Sequence, residues 1–233
     1  MSEEKEKLAI EAYKDVLRPS AQEIGSIIHN TVKVARFVFA PLDFLAAQQD
    51  RWQRFLTKVA TKVEEENLVE APAQVVGTII EGMLYVDDES LIGEMFAQLL
   101  ADSIDKTKQS VVHPAFPKII QQLSHDEAVI LYYLKRRGYI VKQQWDLRNG
   151  KIENMRTIKE DFPLISLGYP ENIWMYMDHL NSLTVGGTWK TQNDEPVYSN
   201  GQQVGGITIS ERKLSDFGKL FAKACVPDEF PNI

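Results

Sequence analysis

Near residue 120 the hydrophobic pattern of this chain changes period, and that change constrains the fold more than any other feature of its 233 residues. Before it, apolar side chains recur three and four apart, the spacing of a helix with one buried face. After it, short apolar runs are separated by glycines, aromatic residues and turn dipeptides. Charge divides at the same place. Residues 1–119 hold 13 basic and 19 acidic side chains, and residues 120–233 hold 13 and 14, which together give the net charge of −7. The length suffices to bury a sizeable core without disulfides or metals. The expectation is a mainly α protein: an N-terminal helical bundle over residues 1–120, followed by an α+β, winged-helix-like domain over residues 121–233.

In the first half, helices are expected over about 4–17, 21–39, 43–66, 73–84 and 91–104. Pro19, Pro41 and Pro72 mark the breaks. Ser20-Ala21-Gln22-Glu23 reads as a capping box, in which a serine hydroxyl takes an early backbone N–H and a glutamate returns to the cap. In the third helix Trp52, Phe55, Leu56, Val59 and Val63 form the apolar stripe. Asp87-Asp88-Glu89-Ser90 reads as the start of the next helix, because acids there cap the chain and oppose the positive end of its dipole. That helix carries Leu91, Ile92, Met95, Phe96, Leu99, Leu100 and Ile104 on one face.

In the second half, Ser124-His125-Asp126-Glu127 is another capping box. It opens a helix to about Arg137, for which Gly138 is the expected left-handed cap. Strands are expected at Tyr139–Leu147, Val185–Lys190, Val197–Ser199 and Gly206–Ser210. Asn149-Gly150 and Asn200-Gly201 are turn signals between them. Residues 153–170 show no clear period. Helices are expected over Glu171–Leu183 and Leu214–Cys225. A short helical core with a β-ribbon resembles a winged helix-turn-helix.

The surface feature singled out is a basic row on the third helix. Arg51, Arg54, Lys58 and Lys62 fall within an arc of about 80° at helical geometry. Such a row can meet an acidic protein partner, phosphates or anionic lipid; the plainer reading is a solvated face with i,i+4 pairs such as Asp50–Arg54. The broad apolar face of helix 21–39 (Ile24, Ile27, Ile28, Val32, Val34, Ala35, Val38, Phe39) is either bundle core or a membrane-lying surface. The candidate recognition helix 171–183 carries Glu171 and Asp178 and no Lys or Arg, which weighs against affinity for a polyanion.

Catalytic and cofactor patterns find little support. The four histidines, His29, His113, His125 and His179, include no pair at i+3 or i+4, and no HExxH or Cys/His cluster occurs. No G-x-S-x-G elbow or glycine-rich phosphate loop is present. The single cysteine, Cys225, reads as a small buried hydrophobe, and its solitude points to a reducing compartment. The charged start lacks the basic and apolar regions of a signal peptide, so a cytoplasmic location is expected. No metal, cofactor or catalytic residue is assigned.

Several segments together resemble the abortive-infection alpha family of bacterial proteins. They are Asp88-Glu89-Ser90-Leu91 running into Met95-Phe96-Ala97-Gln98-Leu99-Leu100-Ala101, then Val112-His113-Pro114-Ala115-Phe116. Ile119-Ile120-Gln121-Gln122-Leu123-Ser124 follows with Asp126 and Ile130-Leu131, and Leu214-Ser215-Asp216-Phe217-Gly218-Lys219-Leu220-Phe221 closes the pattern with Ala224-Cys225. The resemblance implies a role in bacterial defence against phage and carries over no catalytic residues. The expected function is that of a non-enzymatic defence component working through contacts with a host or phage protein, or with further copies of itself. The row Arg51, Arg54, Lys58 and Lys62 is the candidate contact surface, and its reversal to glutamate is expected to abolish activity with the fold intact. Two alternatives stand beside it. One is a DNA-binding regulator using the wing; the other is a membrane-acting effector using helix 21–39.

Overall fold

The computed structural model describes residues 49–230. The helices expected at 4–17 and 21–39, with the Ser20 capping box and the apolar face at Ile27, Ile28 and Phe39, lie outside the described residues. The described chain divides into two compact units, one comprising residues up to Leu123 with Ala224–Phe230 and the other Ser124–Lys223.

The described part of the first unit contains α1 (Gln49–Thr61), α2 (Ala73–Met83), α3 (Leu91–Ser103) and the short α4 (Phe116–Ile120). The stripe Trp52, Phe55, Leu56, Val59 and Val63 is buried, as the spacing predicts. It packs α1 on α3, while α2 and α4 pack on α3 and on each other. The start of α3 is set by Ser90, whose Oγ accepts from the Gly93 N–H at 3.1 Å. Gly93 itself is obligatory there, because an added Cβ would overlap the Asp87 carbonyl oxygen. After α3 the chain makes a single antiparallel bridge between Leu68 and Asp105.

The second unit opens with α5 (His125–Leu134), whose capping box between Ser124 and Glu127 is formed in both directions. A long hairpin follows, β1 (Tyr139–Arg148) and β2 (Lys151–Glu160), turning at Asn149 and Gly150, both at positive φ. Then come α6 (Ile173–Ser182), β3 (Gly186–Lys190), β4 (Glu195–Ser199), β5 (Gln202–Leu214) and α7 (Asp216–Cys225), of which the last two residues are assigned to the first unit. The sheet is antiparallel throughout, in the order β2-β1-β5-β3, with β4 also pairing β5. β5 is its spine. Its first half pairs β4, its last five residues pair β3, and its other edge pairs β1 from Tyr139↔Arg212 to Asp146↔Gly205. Tyr133, Tyr139 and Phe162 meet edge-to-face at 5.2–6.5 Å and close one end of this core.

The fold class differs from the expectation of a mainly α chain with an N-terminal bundle and a winged-helix-like domain. The described residues are about 46% helix and 25% strand, with a five-stranded antiparallel sheet, and they define no N-terminal helical bundle. Two misread segments account for much of the difference. β2 shows no alternating pattern because it is an edge strand exposed from Lys151 to Lys159, held by backbone pairing rather than by a buried face. β5 is thirteen residues long rather than five, because Gly205 and Gly206 interrupt its apolar pattern without ending it. An added Cβ on Gly206 would overlap the Trp145 indole, so that glycine marks a close packing point and not a turn. Gly138 does not take the left-handed conformation expected of a cap. The Glu211 side chain packs against it, where an added Cβ would displace the carboxylate.

Candidate functional site

The basic row on α1 is built into the first unit. Arg54 donates to both carboxylate oxygens of Asp88, Nε to Oδ2 and Nη2 to Oδ1, each at 2.9 Å. Arg51 Nη2 donates to the Met83 carbonyl at 2.9 Å, and its Nε lies 3.8 Å from Asp88 Oδ1. Lys58 Nζ reaches the Asp88 carbonyl oxygen at 2.6 Å and Glu94 Oε1 at 2.5 Å. Lys62 Nζ donates to Gln98 Oε1 at 3.3 Å, and Gln98 donates to Asp102 at 2.9 Å. The row therefore runs along a polar ladder on α3, Glu94, Gln98 and Asp102, spaced one helical turn apart.

Asp88 is 1% exposed, although the sequence reads it as a helix-capping acid. Burial opposes its ionisation, but the bidentate hydrogen bonds and positive charge of Arg54 hold its pKa below the usual aspartate value. Arg54 itself is half exposed, and with Gln53, Thr57 and Lys58 it lines a shallow open depression. Reversing Arg54 and Lys58 to glutamate would set like charges against Asp88 and Glu94. Loss of activity in such a variant would then report the fold as much as a contact surface.

A second polar cluster ties α5 to α6. Asp126, 4% exposed, accepts from the Gly168 and Tyr169 backbone N–H groups at 2.8 and 2.9 Å and from the Tyr176 hydroxyl at 3.0 Å. Burial works against its charge, yet these donors bring its pKa below the ordinary range. Glu127 closes the capping box with Ser124 through Oε2, and its Oε1 accepts from His179 Nδ1 at 2.5 Å. Asp126 and Glu127 are adjacent and Tyr176 and His179 are three apart on α6, so two neighbouring carboxylates clamp one face of that helix. This clamp also shapes the segment 163–170, which the sequence leaves unassigned.

Two further features carry no period or motif in the sequence. Edge strand β2 presents Ile152, Met155 and Ile158 to solvent, each about half exposed. Arg212, read only as a charge following the ribbon, is fully buried. Lys135-Arg136-Arg137 follows the end of α5, and Arg136 Nη1 donates to the Tyr132 carbonyl at 2.7 Å, as a cation at a helix C-terminus should. Cys225 is buried, as its apolar neighbours imply. The expected recognition helix is α6, which buries Ile173, Tyr176, Met177 and Leu180. It packs on β3, and the sheet it serves is larger than a wing. Among the described residues, no helix is long and apolar enough to cross a membrane.

The described residues thus comprise a set of packed helices and an α+β unit with a five-stranded antiparallel sheet. The family model described as abortive infection alpha matches residues 47–225, and the chain belongs to that family. No curated protein and no solved structure matches it significantly.

Proposed function

We propose that this chain is a cytoplasmic component of abortive-infection defence against phage, and that it acts by contacting another protein rather than by catalysis. Membership of the abortive infection alpha family supports the defence role. The observation that supports action by contact is β2. It is an edge strand whose exposed length carries Ile152, Met155 and Ile158 among Lys151, Glu153, Arg156 and Lys159. Exposed apolar residues on an open strand edge, framed by charge, suit a protein partner of host or phage origin.

The test is phage plaquing on cells carrying the gene with its native flanks, compared with a deletion and with Met155→Lys. A large drop in plaquing with early death of infected cells is expected for the native gene. Normal plaquing over a diverse phage panel would overturn the defence role. Met155→Lys should fold normally and lose protection; full protection would exclude β2 as the contact surface.

A further inference from the structure

Arg212 lies in β5, in register with Tyr139 of β1 on one side and Thr188 of β3 on the other. Residues paired across strands project from the same face of a sheet. Here Trp174, in the first turn of α6, covers the guanidinium, with its ring centroid 4.6 Å from Arg212 Cζ. Nη1 is bound by Glu160 Oε2. Nε and Nη2 are buried without a hydrogen-bond partner in the protein, and so is the neighbouring Thr188 Oγ1. Buried donors of a charged group are satisfied in nearly all folded proteins, because giving up water's hydrogen bonds without a replacement costs free energy.

The chemistry of the unpaired edge is specific. Nε–H and one Nη2–H point the same way and form the side-on fork of a guanidinium, which matches the two oxygens of one carboxylate. Nε, Nη2 and the Thr188 hydroxyl together offer more protons than the two lone pairs of a single water can take. A carboxylate has about four acceptor positions and no donor of its own. Glu160 already balances one unit of the Arg212 charge, so an arriving anion leaves the site one unit negative. That favours a monoanion over a dianion such as phosphate. The first turn of α6, to which Trp174 belongs, brings the positive end of that helix to the same side.

We propose that the Nε–Nη2 edge of Arg212, with the Thr188 hydroxyl, is a binding site for a small-molecule carboxylate held beneath Trp174. Trp174, itself half-buried, covers one face of the guanidinium. The assignment is independent of the partner surface on β2.

The test is thermal unfolding of the full chain in sodium acetate, against sodium chloride at matched ionic strength, with inorganic phosphate as a third arm. Acetate should raise the midpoint saturably and chloride should not. Thr188→Val removes one hydrogen bond with little change of shape and should weaken the apparent acetate affinity about fivefold. Glu160→Gln leaves the guanidinium charge unbalanced and should strengthen the acetate effect. An acetate response no larger than that of chloride would overturn the site. So would an acetate response unchanged in Thr188→Val, which would place the ion elsewhere on the surface. Phosphate outperforming acetate would overturn the choice of a monoanionic carboxylate.

Discussion

Replacing Asp88 by asparagine removes the charge from a carboxylate that is 1% exposed and receives two 2.9 Å hydrogen bonds from Arg54. The asparagine keeps one acceptor and turns an amide donor toward the guanidinium, so one of the two bonds is lost and the other weakened. A hydrogen bond to a charged group contributes about 1.5–3 kcal/mol. Arg54 is half exposed and recovers water when its partner is lost, which brings the expected cost to about 2 kcal/mol. For a chain of this size that lowers the melting midpoint by roughly 4–8 °C. The assay is urea unfolding of wild type and variant across a pH series. The folded pKa of Asp88 lies below its unfolded value of about 3.9, so its stabilisation is complete at neutral pH and is lost as pH falls through the folded value. The gap between wild type and variant should be flat from about pH 6 to 8 and close below about pH 4. Taking the difference removes Asp105, Asp126, Asp194 and Asp216, whose pKa values are also lowered but which both proteins share. A gap under about 0.5 kcal/mol at neutral pH would refute the reasoning, since that is the effect of an ordinary surface substitution. A gap that persists unchanged in acid would refute it equally.

Two further substitutions probe the same logic elsewhere. Asp126→Ala should cost about 3 kcal/mol by orphaning the Gly168 and Tyr169 N–H groups and the Tyr176 hydroxyl. Amide exchange at Gly168 and Tyr169 should accelerate more than exchange in β5, and equal acceleration everywhere would argue against a local clamp. Gly93→Ala should cost about 1–3 kcal/mol, because its Cβ would push against the Asp87 carbonyl and lie 2.9 Å from Asp88 Cα. Its effect should be non-additive with Asp88→Asn in a double-mutant cycle, because both loosen the same turn; strict additivity would separate them.

Most helices of the described chain were legible because their determinants are local. Ser90 and Ser124 set helix starts through bonds to residues three positions on, and Pro72 and Pro227 bound helices by steric exclusion. The buried stripe of α1 follows from helical periodicity alone, and the Asn-Gly dipeptides at 149–150 and 200–201 turn the chain because both residues accept positive φ. The pairings between distant residues are not local, and tertiary structure alone decided them. The charges of α1 are visible as a row, but only the packing of α1 on α3 reveals that Arg54 and Lys58 face Asp88 and Glu94. β2 has no buried face, so its backbone bonds to β1 leave no mark in the hydrophobic pattern. Arg212 looks like a surface cation because arginine usually is one. Its burial depends on β1, β3 and α6 arriving around it from positions 24 to 73 residues earlier in the chain.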